Sequence, residues 1–240
     1  MVAGPQQLLA RLDRIGAVLR DGGHALALIG LGSAGLERER LDEWSDLDFF
    51  VIAEPGWKRR FLDDLDWLAA AQPLAWQHRS SGEGGKVLMT DGVFCDFAVY
   101  EPGELEAVPF APGRVVWRRK GVDAALAMPR RAPPPATTDE AWIVGEALAA
   151  LHVGLQRWRR GERLAALRLV QGQALDRLVE LDALRTHPVA GDPFDATRRL
   201  EVRHPRLADE LPGALDGDVD DFVSGGPEDL LPLGHGGGIV

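Results

Sequence analysis

Apolar positions recur at helical spacing at the start of the chain. Leu8, Leu12, Ile15 and Leu19 share one side of a helix predicted over residues 5–20, which Asp21-Gly22-Gly23 ends. Ala25 to Leu31 is then a continuous apolar run of strand length, and Gly32-Ser33-Ala34-Gly35 reads as a turn. Residues 36–45 are strongly charged. The pattern switches to alternation over Asp46 to Ala53, predicting a second strand closed by Pro55-Gly56. Trp57, Phe61, Leu65 and Leu68 predict one helix after it. Leu74 to His78, Lys86 to Met89 and Val93 to Tyr100 are strand-like, with Thr90-Asp91-Gly92 as a hairpin turn between the last two. Val115 to Arg119 predicts an edge strand.

The pattern then breaks. Residues 129–136 read PRRAPPPA, which suits neither a helix interior nor a central strand. Thr137 followed by Glu140 has the spacing of a capping box, so a long helix is expected over 138–159. After Gly161, Leu164, Leu167, Leu175, Leu178 and Leu181 predict a second helix over 162–183. The expected class is α+β: a small mixed β-sheet domain over 1–128, a Pro-rich linker over 129–137 and a C-terminal helical bundle over 138–224. Residues 225–240, rich in glycine, are expected to form a flexible tail.

Composition narrows the function classes. The chain has 240 residues, 45% hydrophobic and 27% charged, which is ordinary for a soluble globular protein. No apolar run approaches the roughly 20 residues that a membrane helix needs. The start of the chain lacks a basic-then-apolar segment, so no signal peptide is expected. A single cysteine, Cys95, excludes an internal disulfide and a thiolate zinc site, and a reducing cytoplasmic location follows. Cys95 itself is expected to be a buried structural thiol. The net charge of −10 argues against a nucleic-acid partner and suits a small cationic one. The six histidines show no metal-ligand spacing.

Three features carry chemistry. Gly32-Ser33 follows an apolar strand, where backbone N–H groups and a hydroxyl can hold phosphate oxygens. Asp46 and Asp48 stand two apart in a strand and should face the same way. Asp96 interrupts the apolar strand VFCDFAVY, where an unpaired carboxylate is costly. Three neighbouring carboxylates repel one another unless a cation lies among them. Magnesium suits hard oxygen ligands and usually shares them with nucleotide phosphates.

Gly32-Ser33, twelve residues, then Asp46-Leu47-Asp48 resembles the signature of the polymerase-β-like nucleotidyltransferase superfamily. EWSDLDFFVI is similar to its aminoglycoside- and lincosamide-modifying branch. The resemblance implies that Asp46, Asp48 and Asp96 bind two Mg2+ ions. It implies that Gly32 and Ser33 hold the triphosphate of ATP or another nucleoside triphosphate, and that a small-molecule hydroxyl accepts the nucleotide. A homodimer is compatible with it. Many members carry an arginine just after the Gly-Ser pair; here Ala34-Gly35 follow, and Arg38 and Arg40 come next. The resemblance also implies a carboxylate general base, and Glu146, inside the apolar run WIVGEALAALHVGL, is the candidate.

The same residues allow other readings. Gly30-x-Gly32-x-x-Gly35 also spells a dinucleotide-binding fingerprint. A protein acceptor, or nucleotide binding without catalysis, would use the same pocket. Arg157, Arg159, Arg160 and Arg163 could reach a phosphate or simply complement a helix terminus. Trp44 could stack on a ring or pack at the rim of the core.

Overall fold

The computed structural model describes residues 4–131, 133, 137–186 and 195–215. It is an α+β protein with a mixed six-stranded sheet and a C-terminal helical region. Packing divides the chain into two compact units, Met1–Pro133 and Pro134–Val240.

In the first unit, α1 (Pro5–Gly22) begins with proline in its first turn, where the missing N–H is not needed. β1 (Ala25–Gly30) and β2 (Leu47–Ala53) follow. The single helix expected next is two: α2 (Lys58–Asp63) and α3 (Asp66–Ala71). The break has a local cause. The Asp64 carboxylate accepts from the Asp66 backbone N–H at 2.8 Å, starting a new helix instead of continuing the old one. The sheet resumes with β3 (Leu74–Arg79), β4 (Gly84–Met89), β5 (Phe94–Tyr100) and β6 (Arg114–Arg118). Strand order is β3-β4-β5-β2-β1-β6. Every pairing is antiparallel except β2 with β5.

The sheet has two unlike faces. Leu47, Phe49 and Val51 of β2, Val87 and Met89 of β4, and Cys95, Phe97 and Val99 of β5 pack with Leu8, Leu12, Ile15 and Leu19 of α1. Each large aliphatic side chain buried there contributes about 1.5–3 kcal/mol. Alternation sends Asp48, Phe50, Lys86, Leu88, Phe94, Asp96 and Tyr100 to the opposite face. Part of that face carries a smaller core of Ala27, Ile29, Ile52, Leu105, Phe110 and Ala127. The polar positions lie outside it.

The second unit is helical. α4 (Glu140–Arg159) is capped by Asp139, whose carboxylate accepts from Trp142 N–H at 3.0 Å. This replaces the expected cap: Thr137 Oγ1 instead accepts from Asp139 N–H at 3.3 Å, and Glu140 pairs with Arg185. The second long helix starts as α5 (Arg163–Leu167), widens into π-helical turns over Arg168–Ala174 and continues as α6 (Leu175–Thr186). At Gly154 of α4 an added Cβ would lie 2.6 Å from Val170 Cγ2, so only glycine permits this approach. α7 (Leu200–Arg203) and α8 (Pro205–Leu215) close against Val179. The tail expected over 225–240, and residues 216–224 before it, lie outside the described residues. Among the described residues no helix is long and apolar enough to cross a membrane.

Candidate active site

The site is built on the β2–β5 pair. Their parallel register sets Asp48 directly beside Asp96, with Leu47 beside Cys95 and Phe49 beside Phe97. Neighbouring strands lie about 4.8 Å apart, so the two carboxylates leave the sheet side by side. β4 pairs with β5 so that Lys86 stands opposite Asp96, and β3 places His78 opposite Lys86. His78, Lys86, Asp96 and Asp48 therefore form one row across four adjacent strands.

Asp46 immediately precedes β2 rather than opening it, and is half-buried. Asp96 is not desolvated as the apolar run suggested. It lies on the face away from α1, its side chain 39% exposed, and Lys86 Nζ donates to its Oδ2. That hydrogen bond holds the Lys86 ammonium above its ordinary range. Desolvation opposes it and comes second, and the charges of Asp96, Asp48 and Asp46 add smaller contributions in the same direction as the hydrogen bond.

The Gly-Ser turn approaches this row from β1. Leu31 N–H donates to Asp48 O at 2.8 Å, which ties the end of β1 to the start of β2. The turn is one 3-10 turn, Gly32–Ala34, and Gly35 and Glu37 both donate N–H to Gly32 O, at 3.0 and 3.1 Å. Gly32 has φ +49°, a left-handed conformation that favours glycine. A Cβ there would lie 3.7 Å from Asp48 Oδ2, so backbone and carboxylate share one small space.

This geometry overturns the dinucleotide reading. That fingerprint needs a strand running into an α-helix inside a parallel βαβ unit. Here a 3-10 turn follows β1, and both neighbours of β1 are antiparallel.

The remaining candidates fall elsewhere. Glu146 is exposed on α4, while Ile143, Ala147 and Ala150 form the buried side. The desolvation argument that singled it out therefore does not apply, because the apolar run around it is only partly buried. Arg157 pairs with Glu162 at 2.6 Å, and Arg163 lies 3.7 Å over the Trp158 ring. Trp44 is 80% exposed, which overturns its expected packing at a core rim. Its backbone N–H donates to Asp42 Oδ1 at 3.0 Å in a turn that Ser45 also closes onto Asp42. Burial pushes the Cys95 thiol up to about 12, with Asp46, Asp48 and Asp91 adding to it.

Sequence reasoning missed Arg114. From the start of β6 its Nη2 donates to Ala34 O at 3.3 Å, beneath the Gly-Ser turn. Burial lowers its proton affinity, and nearby Arg38 lowers it further. It stands 80 residues from Ala34, so no local spacing could have revealed the contact.

The carboxylate oxygens of Asp46, Asp48 and Asp96 are hard donors of the type that a divalent cation takes. As the side chains stand, no three His, Cys, Asp or Glu residues among those described are gathered closely enough to hold one. Lys86 already supplies a positive charge at Asp96.

No family model matches the chain, and no curated protein matches it. Among solved structures it is similar to an aminoglycoside 6-adenyltransferase from Bacillus subtilis, at 11% identity and a TM-score of 0.31, over 86% of this chain and 78% of that one. A TM-score this low leaves function to be argued from the chain's own residues.

Proposed function

We propose that the protein is a magnesium-dependent nucleotidyltransferase that moves a nucleoside monophosphate, AMP from ATP, onto a hydroxyl of a small molecule. One observation carries the reading: Asp48 and Asp96 are register partners on the open sheet face, with the Gly32 backbone beside the Asp48 carboxylate. That pairing puts acidic oxygens next to a turn suited to phosphate.

Asp46, Asp48 and Asp96 are the residues that would hold two Mg2+ ions. Bound there, the ions would neutralise phosphate charge and lower the barrier to in-line displacement at the α-phosphorus. Gly32 and Ser33 would orient the triphosphate so that pyrophosphate departs away from the acceptor. The similarity of EWSDLDFFVI to antibiotic-modifying enzymes and the net charge of −10 support a cationic acceptor such as an aminoglycoside. A homodimer would be compatible with this arrangement.

A second reading has one observation in its favour. Lys86 on Asp96 would suit a site that binds nucleotide without catalysis.

Pyrophosphate release separates the two. Purified protein is mixed with Mg2+, each nucleoside triphosphate and a panel of aminoglycosides and lincosamides. Release that requires both Mg2+ and one acceptor is expected. Nucleotide binding without release under any mixture, including protein acceptors, would favour the second reading. No nucleotide binding would overturn both.

A further inference from the structure

Lys86 is one of only three lysines in the chain, beside Lys58 and Lys120. Lys58 serves elsewhere, bridging Glu104 at 2.7 Å and Glu83 at 3.7 Å. Lys86 is placed by strand register, not by a flexible loop. It faces Asp96 across the β4–β5 pair, and Asp96 in turn faces Asp48. Its ammonium donates to Asp96 Oδ2 from the same face of the sheet that carries the Asp48 carboxylate. The acidic row is thus already supplied with a cation from within the chain.

We propose that Lys86 is the resident counter-cation of Asp46, Asp48 and Asp96, and that a divalent cation enters this row by displacing the Lys86 ammonium from Asp96. The inference rests on the metal-dependent reading above and adds a positioning residue to it. An ammonium on Asp96 Oδ2 and a divalent ion at the same carboxylate compete, because two positive charges that close repel each other. With the ammonium on Asp96, no three of the described His, Cys, Asp or Glu side chains lie close enough to hold a metal. With a divalent ion in place of the ammonium, Asp96 would turn toward its register partner.

Displacement is structurally inexpensive. The Lys86 side chain is 40% exposed, so its head reaches water by rotating its own stem. The four-carbon stem is flexible and the ammonium hydrates strongly, whereas a planar arginine fork would lose a bidentate pairing. Until a metal arrives, the Lys86 ammonium neutralises part of the negative charge that the acids share.

Two measurements on the full chain test this. In the first, Mn2+ affinity is read by the electron paramagnetic resonance of free Mn2+ for the wild type, Lys86→Met, Lys86→Arg and Asp48→Asn. Lys86→Met should bind Mn2+ about tenfold more tightly, since a unit positive charge beside the ion has been removed. Lys86→Arg should bind no more tightly than wild type, and Asp48→Asn should lose binding. In the second, the unsubstituted protein is acetylated with and without Mg2+, and each lysine is followed by mass spectrometry. Acetylation of Lys86 should rise severalfold with Mg2+, while exposed Lys120 serves as the unchanged reference.

Unchanged or weaker Mn2+ binding by a folded Lys86→Met protein overturns the role of Lys86 and leaves the metal site standing, provided that Asp48→Asn loses Mn2+. Absence of Mn2+ binding in wild type and Lys86→Met alike overturns the metal site together with it. If Lys86→Met does not fold, acetylation decides alone, and no change with Mg2+ overturns the proposal.

Discussion

Asp48 and Asp96 are direct register partners on the parallel pair β2 and β5, although 48 residues separate them. Their side chains leave the sheet on the face away from α1, so charge and packing are segregated. Asp48→Asn and Asp96→Asn should therefore each lower turnover by on the order of 10²–10³-fold while leaving the fold intact. Pyrophosphate release and circular dichroism measure the two effects separately. Full activity in either variant would remove that residue from the site.

The Gly-Ser turn should tolerate no side chain at its ends. Gly32→Ala forces alanine into a left-handed conformation and should cost about 1–2 kcal/mol. Gly35→Ala should cost more, because its Cβ would meet Gly30 O at 2.6 Å and the Leu31 carbonyl carbon at 2.9 Å. Urea denaturation should rank them in that order; the reverse order would mean that the turn relaxes.

Trp44 is the most exposed large hydrophobic side chain described. Trp44→Ala should change stability by less than about 0.5 kcal/mol, as exposed substitutions usually do. If the indole serves as a stacking platform for a base or an acceptor ring, it should also weaken binding of that ligand about tenfold. Calorimetric titration of nucleotide and acceptor would show which. Unaltered binding of both would leave Trp44 without a role at the site.

Arg11 pairs with Asp91 at 2.6 Å and so joins α1 to the β4–β5 turn. The Arg11 hydrogen bond is the main reason that Asp91 ionises below its ordinary value of 3.8. A carboxylate with a depressed folded value stabilises above its unfolded value and loses that contribution as pH falls through the folded one. The melting temperature of wild type should thus fall more steeply below pH 4 than that of Asp91→Asn. Parallel curves would mean that solvent screens the pair completely.

Cys95 should resist iodoacetamide at pH 8 in the folded protein and react once unfolded, because its thiol is held near 12 by burial. Rapid native labelling would indicate that β5 opens.

Much of the first unit is legible without tertiary structure because its signals are local. The i, i+4 leucines of α1 give its buried stripe, and alternation in LDFFVIA and FCDFAVY sends every second residue to α1. Alternation also makes Asp46, Asp48 and Asp96 stand out. The errors are local as well. Asp64 splits one expected helix by accepting a backbone hydrogen bond, and Asp139 rather than Thr137 caps α4. In both, a short acidic side chain competes with the backbone, and periodicity does not register that competition.

Strand pairing is another matter. Alternation says that Asp96 faces one side of β5, yet nothing in VFCDFAVY says that β2 lies beside it in parallel. Nor does it say that β4 delivers Lys86 on the other flank. Register depends on how two hydrophobic faces are buried at once, and a shift of either strand by one residue would turn its aspartate into the core. The identities of the acidic residues were therefore readable along the chain. Their arrangement as one row with Lys86, and the approach of Gly32 to Asp48, came only when the sheet closed over α1 and burial selected a single register.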